Sequence, residues 1–165
     1  MSINRRKVLL GATSVAALAA FGVWQSRAAG GLAEGVFEIT RTDEEWHTLL
    51  NDQEYAVLRQ AATEYPGTSS LLNEHRPGIF SCKGCELPLF DASTKYESGT
   101  GWPSFWQPLE NAVGESTDYL LGYARTEVHC RRCGSHLGHV FPDGPAPTGL
   151  RYCMNGICLT FTPAA

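Results

Sequence analysis

The chain has little charge and no excess of basic residues. Of its 165 residues, 13 are Lys or Arg and 17 are Asp or Glu, which is 18% of the chain with a net charge of −4. Soluble domains usually devote about a quarter of their residues to charge. The mild acidity argues against a phosphate-binding surface and leaves nucleic acid without support as a partner. Past the N-terminal segment there is no internal repeat and no low-complexity stretch, which removes solenoid and linker architectures. What is present is a 43% hydrophobic content, 17 Gly, 9 Pro and six Cys. That composition fits one turn-rich domain with a core of its own, read as a monomer at this length.

The first 29 residues read as an export signal rather than as part of the fold. Arg5, Arg6 and Lys7 open it, an uncharged run over residues 8–25 follows, and the small residues of "SRAA" place a cleavage site at Ala28 or Ala29. The run is rich in Ala and Gly, so it is less apolar than a membrane-spanning helix. The Arg5–Arg6 pair ahead of it is of the twin-arginine type. Export to the periplasm is the expectation, with an uncleaved membrane anchor as the alternative; a cleaved signal leaves no stable membrane association. Residues 30–41 read as a linker and 42–165 as the domain.

Within the domain, Thr42 and Glu45 have capping-box spacing ahead of a helix whose apolar face is Trp46, Leu49 and Leu50. "NDQEYAVLRQAAT" reads as a second helix capped by Asn51 or Asp52, with Tyr55, Leu58 and Ala62 inward. "YPGTSSLLNEHRPG" reads as loop. From there the pattern turns to short strands, "GIFSC", "LPLF", "DYLLGYARTEVHC", "HLGHVF" and "LRYCMNGICLTF". The expected fold is mainly β with short N-terminal helices.

Two C-x-x-C pairs, Cys82/Cys85 and Cys130/Cys133, each offer two thiolates from a tight turn, and together they would close a tetrahedral zinc site. Gly84 and Gly134 suit such turns. Four thiolates leave no open position for water, so the ion would be structural. Two disulfides, a redox C-x-x-C and an iron site of the same spacing are the alternatives.

Cys153 and Cys158 remain. On a strand, Arg151, Cys153 and Asn155 project from one face; a cation beside a thiol lowers its pKa, and an amide can hold a polar ligand. His136 and His139 are three apart, which on a regular strand puts them on opposite faces unless a turn at Gly138 intervenes. Trp102, between Gly101 and Pro103, reads by itself as packing.

"SGTGWPSF", "SHLGHVFPDGPAPTGLRYCMN", the two C-x-x-C pairs and "TEYPGTSSLLNEH" together resemble the methionine-R-sulfoxide reductases of the B type, from about Asp43 to Phe161. The resemblance implies two antiparallel sheets with a structural zinc away from the active site. It implies Cys153 as nucleophile on the sulfoxide sulfur, and His136, His139 and Asn155 as donors to its oxygen, with His139 the main proton donor. Arg151, balanced by Asp143, would stabilise the thiolate, and Trp102 would pack on the sulfoxide methyl group. Oxidised proteins or peptides would be the substrate. Many members carry a recycling cysteine where this chain has Thr100. Five residues of extended strand span ~16 Å, whereas disulfide Cα atoms lie within ~7 Å, so Cys158 reads as buried filler. An external thiol, thioredoxin-like or small, would then reset Cys153. A non-catalytic zinc adaptor, or a second metal on His136, His139 and Cys153, are the competing readings.

Overall fold

A computed structural model describes residues 35–165. The export-signal reading of residues 1–29 lies outside them. Two short helices open the domain, α1 (Asp43–Leu49) and α2 (Asp52–Gln60). Both start on reciprocal capping boxes, Thr42 with Glu45 and Asn51 with Glu54, which satisfy orphan N–H groups at each N-terminus. α2 stops where Ala61 takes a left-handed conformation (φ 54°).

Nine antiparallel strands follow: β1 (Gly78–Cys82), β2 (Pro88–Asp91), β3 (Lys95–Tyr96), β4 (Ser104–Phe105), β5 (Val113–Asp118), β6 (Arg125–Cys130), β7 (His136–Phe141), β8 (Arg151–Met154) and β9 (Leu159–Pro163). They form a three-stranded sheet in the order β2-β1-β9 and a six-stranded sheet in the order β3-β4-β8-β7-β6-β5. The fold is therefore mainly β, with two sheets and two short helices. Phe80, Phe90 and Phe105 are wholly buried between the sheets; Phe105 stacks on Phe90 with centroids 4.3 Å apart and meets Phe80 edge to face at 5.0 Å.

Two stretches expected as single strands are broken. In "DYLLGYARTEVHC" the chain turns over residues 119–124, with Gly122 at φ +82° and its N–H donating to the Tyr119 carbonyl. The preceding strand, β5, is too polar to announce itself, since Val113 is its one strongly apolar residue in "VGESTD". In "LRYCMNGICLTF" a 3₁₀ turn over Gly156–Cys158 separates β8 from β9 and sends them to different sheets. Glu64 causes that break: its carboxylate accepts from the Gly156 N–H at 2.7 Å and the Ile157 N–H at 3.3 Å. A side chain at position 156 would collide with Ser69, whose Oγ lies 1.8 Å from an added Cβ.

The residues just ahead of α1 are laid against the fold. The Ile39 N–H donates to the Arg132 carbonyl at 2.9 Å, and Phe37 meets His129 edge-on. Trp46 lies between the guanidinium groups of Arg41 and Arg59, 4.9 and 4.6 Å from its ring centre. Arg59 also donates to the Cys133 carbonyl, so the helices are fastened to the turn that carries Cys133.

Candidate metal centre and active site

The loop after β1 carries Cys82 and Cys85, and the turn between β6 and β7 carries Cys130 and Cys133. Their four sulfur atoms all lie within 4.8 Å of one another. Cys82 and Cys133 sulfurs are 3.8 Å apart, and those of Cys85 and Cys130 are 3.5 Å apart. A tetrahedron with Zn–S bonds of 2.3 Å has edges of ~3.8 Å, so the spacing fits a four-thiolate ion. A disulfide would need sulfurs ~2.05 Å apart, and all six cysteines are free. The turns use different backbone devices from those expected. Gly134 is left-handed (φ 66°), but in the first turn Glu86 takes that conformation (φ 59°), not Gly84. Gly84 is required for closeness instead, because a Cβ there would lie 3.0 Å from Ser135 Oγ and 3.3 Å from the Trp46 ring.

The two remaining cysteines are separated by the 3₁₀ turn. Cys158 is wholly buried in the core, and burial first, then Glu64, pushes its thiol well up. Cys153 is only partly buried and lies on β8, paired directly with His139 of β7 on one side and with Ser104 of β4 on the other. Its sulfur is 3.8 Å from Thr100 Oγ1. Thr100 is in turn joined to Ser98 Oγ (2.9 Å), which reaches Ser104 Oγ (2.7 Å). Burial pushes the Cys153 thiol up; Thr100, Arg151 and Ser104 pull it down and do not offset the burial. Arg151 thus acts on the thiol in the expected downward direction, but burial is the larger effect and leaves the thiol raised. Arg151 shares the Cys153 face of β8, but its guanidinium is held bidentately by Asp143 (2.8 and 2.9 Å) and lies 4.4 Å over the Phe141 ring.

His136 and His139 reach the same face by a bulge, not by a turn at Gly138. Val128 pairs with Gly138 while His129 pairs with His136, so Leu137 is an extra residue and the parity of the strand shifts by one. The two rings stand edge to face, 5.4 Å between centres. Each has a carboxylate partner. His136 Nδ1 is 2.7 Å from Glu127 Oε1, both wholly buried, and Ser116 Oγ donates to Glu127 Oε2. His139 Nε2 is 2.8 Å from Asp118 Oδ2, which also accepts from Arg125, while Asp118 Oδ1 accepts the Leu120 N–H. Burial pushes the His139 imidazole below its ordinary value against the upward pull of Asp118. Burial raises the Asp118 carboxyl, but Leu120 N–H, His139 and Arg125 together bring it below the usual carboxylate range.

Asn155 lies just beyond β8 rather than on it. Its Nδ2 donates to the Leu137 carbonyl at 3.1 Å, and its Oδ1 accepts the Glu64 N–H at 2.9 Å. The Trp102 indole N–H donates to the Glu64 carbonyl at 2.9 Å. Cys153, His139, Asn155, Trp102, Arg125 and Phe141 all border one depression of about 130 Å³. His136 and Arg151, also expected at the site, do not line it. A larger groove of about 640 Å³ runs between α2 and the 62–71 loop, but no thiol lines it.

Four residues with structural authority over this depression went unread in the sequence: Glu64, Asp118, Arg125 and Glu127. Glu127 had a local signal, a carboxylate inside a β-branched run. Asp118 and Arg125 flank an uncharged hexapeptide, which marks a hairpin. Glu64 had none, because its partners lie some ninety positions away.

The site therefore combines a four-thiol cluster that could hold a metal ion with, apart from it, one thiol paired across strands with a carboxylate-held imidazole. Comparison with known proteins is specific. The family model described as SelR domain matches residues 50–163. The chain is 52% identical over 127 residues to a peptide methionine sulfoxide reductase MsrB of Pseudomonas putida, covering 76% of this chain and 96% of that protein. It is 52% identical over 132 residues to the MsrB of Leifsonia xyli subsp. xyli, covering 79% and 95%, and 52% over 120 residues to that of Alteromonas mediterranea, covering 72% and 84%. The chain belongs to the SelR family, the family of the MsrB reductases.

Proposed function

We propose that the protein reduces methionine-R-sulfoxide in proteins and peptides to methionine, with Cys153 as the nucleophile. The observation that carries this reading is the direct pairing of Cys153 with His139 at the edge of the depression that also holds Trp102. The Cys153 sulfur attacks the sulfoxide sulfur as His139 and Asn155 donate to the sulfoxide oxygen. Asp118 orients the His139 ring and favours its protonated form as the proton moves. The S–O bond to methionine breaks and the oxygen passes to Cys153, so that Cys–SH and R–S(O)–CH₃ become Cys–SOH and R–S–CH₃. The thiol's hydrogen is the one found on the sulfenic acid, and no outside proton is consumed. His136, held by Glu127, fixes the bulge that aims His139. The Trp102 ring, locked by Glu64, forms the apolar wall for the methyl group, opposite the donors, and so selects one hand at sulfur.

The sulfenic acid is then reduced from outside. One thiol condenses with it, releasing water and leaving a mixed disulfide; a second thiol frees Cys153. Thr100 supports this one-cysteine cycle, since it sets a hydroxyl, which cannot form a disulfide, 3.8 Å from the Cys153 sulfur. Cys82, Cys85, Cys130 and Cys133 would hold one zinc ion in a purely structural role. Export through a twin-arginine-type signal rests on residues 1–29 alone.

The test is an assay with the separate R and S sulfoxides of a blocked methionine, wild type against Cys153→Ser. Turnover of the R form alone, abolished in Cys153→Ser, is expected; turnover confined to the S form overturns the reading. Intact mass after reaction without reductant should show Cys153 one oxygen heavier. An internal Cys153–Cys158 disulfide would overturn the one-cysteine cycle.

A further inference from the structure

Seven large apolar side chains are exposed among the described residues, and four of them sit on the six-residue turn between β5 and β6: Tyr119 (68%), Leu120 (56%), Leu121 (58%) and Tyr123 (59%). Nothing in the fold requires them there. Short hairpin tips ordinarily carry Gly, Asn, Asp and Ser, and a cluster of exposed apolar groups ordinarily marks a binding surface. The tip carries no charge between Asp118 and Arg125, which form the last pair of the β5–β6 ladder. Both residues bear on the depression, one directly and one through His139. Arg125 borders it, and Asp118 holds His139 through one carboxylate oxygen and the tip's own Leu120 N–H through the other. The apolar tip therefore springs from the Asp118–Arg125 pair, on the Arg125 side of the depression.

We propose that this tip is a docking rim for the extended, apolar stretch of polypeptide on either side of the oxidised methionine. The proposal rests on the reading of the depression as the sulfoxide site. Methionine is mostly buried among apolar neighbours, and its sulfoxide is polar enough to disrupt a core. A chain damaged in this way presents the sulfoxide within locally unfolded apolar sequence. The depression of about 130 Å³ is of side-chain size, too small for a stretch of polypeptide. The residues before and after it must cross the rim, and at the Asp118–Arg125 side they meet Tyr119, Leu120, Leu121 and Tyr123. An uncharged tip discriminates by apolar content and accepts many sequences. The surface would direct the enzyme toward unfolded substrates over folded proteins or free amino acid.

The test compares wild type with the fourfold variant Tyr119→Ser, Leu120→Ser, Leu121→Ser and Tyr123→Ser, on a blocked methionine-R-sulfoxide and on an oxidised, permanently unfolded protein. All four changes are at exposed positions, and the Leu120 N–H is backbone, so the fold is expected to persist and is checked by circular dichroism. KM for the unfolded protein should rise by about tenfold or more, since loss of a single buried leucine-sized contact already corresponds to at least a factor of ten. Turnover of the blocked residue should change less than twofold. Equal loss on both substrates would make the tip a prop of the depression and overturn the proposal, and so would no loss on either. A rise confined to the KM for the thiol reductant, or concentration-dependent dimers of wild type that the variant lacks, would assign the tip to another occupant and also overturn it. Binding of an unstructured apolar peptide with one methionine sulfoxide to Cys153→Ser, by calorimetry, is a readout independent of turnover. If no sulfoxide is reduced the reductase reading fails, whereas tip-dependent peptide binding would still decide the docking surface.

Discussion

Thr100 is the residue on which the proposed one-cysteine cycle turns. Its hydroxyl lies 3.8 Å from the Cys153 sulfur and belongs to a chain of three hydroxyls with Ser98 and Ser104. Burial makes the Cys153 thiolate costly, and Thr100 heads the groups that oppose it. Thr100→Val removes that hydrogen bond at nearly constant volume. The pH midpoint for alkylation of Cys153 by iodoacetamide should move upward, and at neutral pH the rate should fall, because less thiolate is present. An unmoved or lowered midpoint would mean that Thr100 does not stabilise the thiolate. Thr100→Cys probes the same proximity: a sulfur placed there needs only a small shift to reach disulfide distance from Cys153. After one turnover without reductant, that variant should carry an internal disulfide and lose two free thiols where wild type loses one. Glu64 acts at the same scale without entering the reaction. Its carboxylate satisfies two N–H groups of the 3₁₀ turn, and its carbonyl holds Trp102. Glu64→Ala leaves those N–H groups unpaired, and a loss of about 1–3 kcal/mol is expected in urea unfolding.

Elements bring these residues into register, and here tertiary contacts overrule the local pattern. The bulge at His136–Leu137 converts a spacing of three, wrong for a strand, into two imidazoles on one face. β7 must also approach β8 closely: a Cβ on Gly138 would lie 2.1 Å from the Cys153 carbonyl oxygen. Gly138→Ala should therefore force the strands apart and cost about 1–3 kcal/mol or more, seen as a lower denaturant midpoint, with His139 displaced from Cys153 and turnover lost alongside. The contrast with the legible elements is physical. Capping boxes and C-x-x-C turns depend on atoms within three or four positions, so Thr42/Glu45, Asn51 and the two cysteine pairs could be read directly. The end of β8 and the face of His136 depend on Glu64 and on pairing with β6, partners that no short window contains. The same holds for the carboxylates. Asp118, Arg125 and Glu127 are ordinary surface residues until the hairpin folds back and buries Asp118 and Glu127 against imidazoles. Titration follows from that burial. His139 resists protonation in the folded chain, so as pH falls below about 6.5 the unfolded chain binds a proton that the native state refuses, and stability drops. The lowered Asp118 carboxyl contributes in the same direction further down: its stabilisation is present above the ordinary Asp value and is lost as pH falls through its own lower one.

For the molecule as a whole, the four-thiol centre decides whether there is a fold to carry the site. Cys82 ends β1 in the three-stranded sheet and Cys130 ends β6 in the six-stranded one, so an ion held between them would tie the two sheets together. The helices depend on the same knot, since Arg59 holds the Cys133 carbonyl and Trp46 lies under the Arg59 guanidinium. Structural zinc on four thiolates contributes about 10–16 kcal/mol in small domains at neutral pH. The net stability of a domain of this size is about 5–15 kcal/mol, so the ion's contribution is comparable to the whole. Without the ion, four thiols brought within 4.8 Å of one another would have to stay protonated or repel, which leaves the knot worse than neutral. Stripping the metal with a strong chelator should therefore abolish cooperative thermal unfolding instead of lowering the midpoint by a few degrees, and one equivalent of zinc should restore it. Cys130→Ser should behave like the stripped protein. Cys153→Ser, which leaves the knot intact, should bind one equivalent of zinc and melt close to wild type while lacking turnover. Retained cooperative melting after verified metal loss would show that the two sheets and their phenylalanine core stand alone. A second equivalent of tightly bound metal, lost in Cys153→Ser, would instead place an ion at His136, His139 and Cys153 and replace the sulfenic acid chemistry.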